Sequence, residues 1–389
     1  MDFALTDEQL AVSEAAAGVF TGLVEPERVR AVEETEDRFD RELWRALADA
    51  DLLGLAVPEA QGGAGYGLME LGLLLQAQGA VVAPVPLWAT LVLGALPIAT
   101  FGTDAQQARW LPGVVAGEIL LTAALSGAAA SPTSTPTVAA TPSGDGHGWV
   151  LKGAEQAVPQ AHVAARIVVP SRTADDGGVL LALVDPVASG VTLERTVTTN
   201  REIHPHLRLD NVAIGADDVL AGPGSPSGSD GRAALDATLI AAIVGLCALQ
   251  VGVCEAALRQ TATYLNGRHQ FGRPLSTFQA TLLRAADAAI DIEAMRVTWQ
   301  NAAWRFDTGR DASDAARVAK WQASERGQRA VHATQHLHGG IGADVKYPIH
   351  RYFLWGKQLE LLLGGPSAQL SHLGRHIAER AQAAAAVAS

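Results

Sequence analysis

Basic charge is scarce in this 389-residue chain: 29 Lys and Arg stand against 41 Asp and Glu, for a formal net charge of −12. Gripping a nucleic-acid backbone needs a basic footprint, so nucleic acid is excluded as a partner. Charge of either sign is low at 18%, and the 48% of hydrophobic residues must go into cores or subunit contacts. Cysteine is nearly missing. Cys247 and Cys254 stand seven positions apart. On one helix that separates their Cα atoms by about 10 Å, too far for a disulfide. Buried free thiols in a reducing compartment are expected. The start of the chain, Met1-Asp2-Phe3-Ala4-Leu5-Thr6-Asp7, lacks a basic n-region, so no signal peptide is expected. The apolar runs near 86–100 and 239–249 are interrupted and short of a membrane span. These absences point to a cytoplasmic protein of two or three domains, with no membrane.

Several familiar motifs are missing too. Gly62 to Gly67 superficially suggests a dinucleotide loop, but Leu68 stands where the last Gly of GxGxxG belongs, and no strand–helix–strand context surrounds it. A turn between helices is the better use. No Gly-x-Ser-x-Gly elbow occurs, and Ser126-Gly127 has no identifiable His partner. His332 and His336 share a helical face, with His338 nearby, but no carboxylate or Cys supports them at ligand spacing. Packing or hydrogen bonding is expected of these histidines, and no metal.

What is present falls into three stretches. Residues 6 to about 117 read helical. Thr6 and Gln9 fit a capping box. Trp44, Leu47, Ala48, Leu52 and Leu55 recur at helical spacing, Leu68 to Ala80 restores the pattern after the glycines, and helices follow to Phe101 and over 106–115. From about 120 to 230 the chain is rich in Gly, Pro, Thr and Val. Short strands are expected at 149–151, 165–169, 179–184 and 207–209, forming a small antiparallel sandwich or barrel. Long helices return near 233–268, 276–306, 312–337, 348–363 and 367–386, with Pro366 at the start of the last.

The most specific signal is Arg268-His269-Gln270-Phe271-Gly272-Arg273-Pro274 with Phe278-Gln279, followed by Gln335-His336-Leu337-His338-Gly339-Gly340-Ile341-Gly342. A guanidinium at Arg268 can bridge diphosphate oxygens bidentately. Phe271 can pack under a ring, and Gly272 permits a sharp turn. Gln279 offers donor and acceptor to an adenosine. Gln335 adds an amide beside Gly339-Gly340, where backbone can approach a ligand closely. Together they look like two halves of a pyrophosphate and adenine grip. Arg268, Arg273 and Arg351 are available for an anionic ligand such as a CoA ester.

In these motifs, and along nearly its whole length, the sequence resembles the acyl-CoA dehydrogenase family. Further matches are Asp7-Glu8-Gln9, Val57-Pro58-Glu59 with Gly62-Gly63, Ala83-Pro84-Val85-Pro86, Asp210-Asn211-Val212 and Asp217 with Val219-Leu220-Ala221-Gly222. The variants are most similar to an actinobacterial branch linked to sterol and other bulky acyl-CoA degradation. The resemblance implies an α+β fold: an N-terminal α-helical domain (1–118), a middle β domain (119–230) and a C-terminal four-helix bundle (231–389). It implies FAD at a subunit interface, an acyl-CoA thioester substrate, and electron-transfer flavoprotein as acceptor. The oligomer is a homodimer, a homotetramer, or an α2β2 heterotetramer with a paralogous subunit. It implies that Arg268, Phe271, Gln279, Gln335, Gly339 and Gly340 hold the adenosine diphosphate side, and that Ser126 can hydrogen-bond the flavin edge.

The departures are as informative. Family chemistry takes the α proton with a carboxylate, and losing a positioned base costs about 10²–10⁴-fold. The usual position reads Leu363, the position used by a subset reads Ala242, and Gly365 replaces an Asp found in some relatives. Glu360, one turn before Leu363, is the nearest carboxylate, with a paired or surface role as its alternative. The family's Leu-Thr-Glu-Pro segment is Leu125-Ser126-Gly127-Ala128, and its Trp-Ile-Thr or Trp-Ile-Ser segment is Ala157-Val158-Pro159. Three readings stay open. One is a non-catalytic subunit of a heteromeric dehydrogenase. Another is a self-sufficient enzyme using Glu360 or an unrecognised base, with an oxidase or hydroxylase as a variant. The third is an acyl-CoA or acyl-carrier binding protein without redox chemistry.

Overall fold

Thr6 starts the first helix through a complete capping box, its hydroxyl accepting from the Gln9 amide at 3.2 Å while Gln9 Oε1 accepts from the Thr6 amide at 3.1 Å. The computed structural model describes residues 3–129, 135–144, 148–173 and 178–388. Helix α1 runs Asp7–Leu23, and α2, Pro26–Glu33, opens on a proline. Helix α3, Arg41–Asp49, is capped by Asp40. The helix expected through Leu52 and Leu55 stops here, because Asp51 turns left-handed (φ 57°) and Leu52–Gly54 tightens to a 3₁₀ turn. Gly62 and Gly65 take positive φ, as a turn requires, before α4, Leu68–Val81. A π-helical stretch, Trp88–Ala95, leads into α5, Leu96–Phe101. Helix α6, Asp104–Val115, begins with a second capping box, Thr103 and Gln106, that the sequence reading missed.

The middle stretch forms β1 (Leu121–Ala123), the short helix α7 (Ser126–Ala129), and then β2 (Val138–Pro142), β3 (Gly148–Glu155), β4 (Arg166–Thr173), β5 (Val179–Val184), β6 (Val191–Glu194), β7 (His206–Gly215) and β8 (Val219–Ala221). Among the described residues they make one eight-stranded sheet in the order β6-β7-β3-β2-β4-β5-β8, with β1 also on β4. The sheet is mixed, not antiparallel throughout as expected. β1 and β2 occupy successive parts of one edge of β4, and both run parallel to it. Parallel pairing needs a long return connection, and the β2–β3 hairpin lies within the one from β1 to β4. The alternating apolar residues Val138, Ala140, Leu151, Ile167, Val169, Leu180 and Ala182 meet in one buried cluster.

Helix α8, Gly231–Gly267, is followed by the two-residue strands β9 (His269–Gln270) and β10 (Arg273–Pro274), then α9 (Gln279–Asp307), α10 (Ser313–His338), α11 (Ile349–Leu361) and α12 (Pro366–Ala388). All five helices lie where the 3.6-residue pattern predicts. Contrary to expectation, α8 is long and apolar enough to cross a membrane by length and composition, with a mean hydropathy of 2.2 over an 18-residue window. That window is 89% buried inside the protein, which makes α8 a core helix. Cys247 and Cys254 are both on it, buried and unpaired as disulfides.

The chain divides into two compact units. One holds residues up to Val29, Gly72–Ala83 and everything from Ile243. The other holds Arg30–Leu71 and Pro84–Ala242, including the sheet. In the helical unit, α4 and α8 approach closely enough that a Cβ at Gly79 would lie 2.3 Å from the Leu249 carbonyl, and one at Gly252 only 1.9 Å from that of Gln76.

Candidate functional site

The Arg268 segment is a tight hairpin. After α8 ends, Gln270 pairs with Arg273 and His269 with Pro274, and the two loop residues Phe271 and Gly272 both have positive φ (54° and 78°). This is the backbone a two-residue hairpin demands. Glycine supplies it readily at the second position, while Phe271 adopts it against its steric preference. The Arg268 carbonyl accepts from the Leu275 amide at 2.8 Å and closes the hairpin. The Phe271 ring is 92% exposed, touching Phe278 edge-on at 6.2 Å between centroids. Arg273 stacks over the other aromatic, 4.0 Å from the Phe278 centroid. Arg268 and Gln279 are both exposed.

The Gln335 segment ends α10 at the same end of the helical unit. Tyr264, one turn before Arg268, stacks on His338 at 4.6 Å, and Tyr347 packs against both rings. His338 is buried, with Nδ1 held 2.8 Å from the Thr334 carbonyl, and burial pulls its pKa down, so the ring is neutral. Gly339 has φ 63°, and a Cβ on either Gly339 or Gly340 would meet nothing within 4 Å. The Gln335 amide nitrogen donates to the Gly342 carbonyl, while its Oε1 is buried without a hydrogen-bond partner among the described residues. A buried acceptor left in this state needs a donor from elsewhere.

Helices α9 and α10 run antiparallel, pinned by Asp291 between Arg326 (2.6 Å) and Arg329 (3.0 Å to its Nε). That register sets Gln279, at the start of α9, beside the end of α10. A cleft of 710 Å³ follows the seam from Arg284 and His336 to Asp291 and Arg326. Arg268, Phe271, Gln279, Gln335, Gly339 and Gly340 thus gather at one end of one unit. An exposed guanidinium, open glycine backbone and an orphaned amide oxygen fit a ligand with a diphosphate and a hydrogen-bonding base. The histidines are otherwise engaged: His332 packs edge-on to Phe353 at 4.9 Å, and His336 lines the cleft. No group of three or more His, Cys, Asp or Glu poised for a metal occurs among the described residues.

Ser126 lies in the sheet unit, at the start of α7. Its neighbour Gly127 donates its amide to Glu155 Oε2 at 2.9 Å, and Thr137 Oγ1 donates to Glu155 Oε1 at 2.5 Å. Glu155 is 3% exposed, and burial raises its pKa. The sequence reading missed this anchor. The signal was there: the two-residue alternation of β3 puts Glu155 on the same face as the buried Leu151. The substituted segment Ala157-Val158-Pro159 is fixed by backbone, with Ala157 at φ 50° and the Val158 amide 2.8 Å from the Pro205 carbonyl.

At the end of α11 the chain turns through Leu363 (φ 54°) and Gly364 (φ 92°). Gln369 Nε2 holds this turn, donating to the Leu363 carbonyl at 2.8 Å and the Gly364 carbonyl at 3.1 Å. The side chain so presented is a leucine, 8% exposed. Ala242 is fully buried, and its carbonyl accepts from Trp88 Nε1 at 3.0 Å. Neither residue can accept a proton through its side chain. The Glu360 carboxylate is paired with Lys357 at 2.5 Å. Beneath it the buried Lys320 donates to the Leu359 carbonyl at 2.9 Å and the Glu360 carbonyl at 3.1 Å, placing a cation at the negative end of α11.

The family model described as the N-terminal domain of acyl-CoA dehydrogenase matches residues 6–118, and the one described as the C-terminal domain matches 230–378. Acyl-CoA dehydrogenase FadE27 of Mycobacterium tuberculosis is 36% identical over 388 residues, covering 97% of this chain and 99% of its own. Among solved structures, the chain is similar to a Tcur3481-Tcur3483 steroid ACAD variant (48% identity, TM-score 0.89) and to the ChsE4-ChsE5 complex from Mycobacterium tuberculosis (36%, 0.89). Each similarity covers 97% of this chain and 99% of the other. Two matched domain models and close relatives along the whole length place the chain in the acyl-CoA dehydrogenase family.

Proposed function

We propose that this chain is the supporting subunit of a two-chain, FAD-dependent acyl-CoA dehydrogenase. Arg268, Gln279, Gln335 and Gly339-Gly340 hold the adenosine diphosphate side of an FAD whose ring site and catalytic base belong to a paralogous partner. The observation that carries this reading is Leu363: the turn that bears the base in the family is well formed here, yet ends in a buried apolar side chain. The steroid ACAD and the ChsE4-ChsE5 complex are named as two-component assemblies, which agrees with it. The substrate class is a bulky, steroid-type acyl-CoA thioester, the electron acceptor an electron-transfer flavoprotein, and the compartment the cytoplasm. The domains in this proposal are 1–118, 119–230 and 231–389.

Bound FAD would supply the two-electron acceptor for the β hydride. This chain's residues would bind and orient it: Arg268 the diphosphate, Gln335 Oε1 a donor of the adenosine, Phe271 an apolar contact that leaves water on binding. A thioester α proton must pass to a carboxylate within hydrogen-bond reach. Glu360 is tied to Lys357, which favours a partner's carboxylate for that step.

The visible spectrum of the purified chain, alone and co-expressed with a paralogous neighbour, tests the proposal. The expected result is a colourless lone chain and a yellow, active complex. A lone chain with stoichiometric flavin that bleaches with an acyl-CoA would instead establish a self-sufficient enzyme with Glu360 as leading base. No flavin in any pairing would leave the non-redox binding protein.

A further inference from the structure

Tyr264, His338 and Tyr347 form a three-ring cluster that joins the segments of the candidate cofactor grip. Tyr264 and His338 stack with 22° between their planes and 4.6 Å between their centroids. Tyr347 tilts against His338 at 5.4 Å and meets Tyr264 edge-on at 6.4 Å. Each ring belongs to a different piece of the site. Tyr264 is on α8, one turn before Arg268. His338 ends α10, three residues after Gln335. Tyr347 follows the Gly339–Ala343 turn. The loop that carries Gly339 and Gly340 thus leaves from one ring of the cluster and returns to another. Its middle is folded onto the same place: a Cβ on Gly342 would lie 2.8 Å from the Gln335 carbonyl and 3.2 Å from the His338 Cβ.

The imidazole is held in one orientation. His338 is 2% exposed, and its Nδ1 donates to the Thr334 carbonyl at 2.8 Å. Nε2 is then an acceptor, and it is buried with no hydrogen-bond partner among the described residues. A phenylalanine would fill the same space without an orphaned acceptor, so packing alone does not account for the histidine. What the imidazole adds is a ring plane fixed by the Thr334 bond. Offset stacking passes that orientation to Tyr264, and so to the end of α8.

We propose that Tyr264 and His338 are positioning residues whose stack sets the separation between Arg268 and the Gln335–Gly340 segment, so that one ligand spans both. The inference rests on the cofactor grip proposed above. A ligand held at two points gains affinity over its fragments only when the two points already stand at the right separation. The rings act through Arg268 and the loop, not on the ligand itself. Loosening the stack should weaken a ligand that bridges the two points and spare a fragment that engages one of them.

Isothermal titration of the full chain with ADP, adenosine and inorganic pyrophosphate tests this. Wild type should bind ADP more tightly than either fragment. In Tyr264→Leu, ADP affinity should fall about tenfold or more, while adenosine and pyrophosphate stay within about twofold. Tyr264→Phe keeps the ring and should restore ADP binding. Tyr347→Leu, which frees the return of the loop, should act in the same direction as Tyr264→Leu and gives a second reading if that variant fails to fold. An unchanged ADP affinity in both leucine variants overturns the proposal. So does a parallel loss for all three probes, which would make the stack ordinary packing. A wild-type chain that binds ADP no better than the fragments refutes the grip itself, a result distinct from the other two.

Discussion

The carboxylate of Glu155 occupies the space that a side chain at Gly127 would need: a Cβ built on Gly127 falls 2.5 Å from Glu155 Oε1. The two residues are 28 positions apart, and the Gly127 amide donates to the same carboxylate. Acid and glycine form one unit. Gly127→Ala should therefore destabilise the chain by about 1–3 kcal/mol, through overpacking and displacement of the anchor. Glu155→Gln, which keeps shape and one acceptor, should cost less than Glu155→Ala. Urea denaturation of the three variants checks the order. Burial raises the Glu155 pKa, so its contribution relative to Gln is present at low pH and is lost as pH rises through the folded value. A wild-type advantage over Glu155→Gln that grows with rising pH would contradict this.

Lys320 gives a pH signature at the other end of the scale. It is fully buried, and desolvation lowers its pKa from 10.5 to about 8, against the raising effects of Cys247 and Glu360. A base depressed in the fold is unfavourable while charged. Stability from this group is present above 10.5 and lost as pH falls toward 8, a change of about 3 kcal/mol. Cys247 and Cys254, both pushed up to about 12 from 9.0 by burial, act in the opposite direction above pH 9. The difference between wild type and Lys320→Met isolates the lysine. It should shift in favour of wild type between pH 8 and 10.5 in denaturant titrations.

Arg268 and Gln335 should separate binding from stability. Arg268 is exposed, just past the end of α8, and its side chain makes no hydrogen bond or ion pair among the described residues. Arg268→Ala should leave the melting temperature unchanged while the two-chain complex loses FAD affinity about tenfold or more. Gln335 also holds the Gly342 carbonyl, so Gln335→Ala should lower both affinity and melting temperature. Fluorescence of released flavin and differential scanning calorimetry read the two effects.

Glu360→Gln discriminates the two enzymatic readings. For a supporting subunit, turnover of the complex should stay within about twofold, since the substitution removes only the ion pair with Lys357 and the electrostatic support of Lys320, neither of which takes part in the chemistry. A fall of about 10²-fold or more with flavin retained would assign the base to Glu360.

Much of this protein was legible in its sequence because the deciding interactions are short-range. The Thr6 and Gln9 box, Pro366 at the head of α12, the apolar period of α8 to α12 and the Cys247–Cys254 spacing each depend on residues within about one or two helical turns. The Arg268 and Gln335 motifs were legible for the same reason, each being a helix end with its own turn. Tertiary structure decided the rest through contacts no local pattern encodes. The parallel docking of β1 and β2 on β4, the burial of Lys320 under the end of α11 and the meeting of Glu155 with Gly127 join residues 28 to 45 positions apart. Periodicity fixes which face of an element is apolar, but the partner of a buried charge is chosen by packing, because only the assembled core removes it from water.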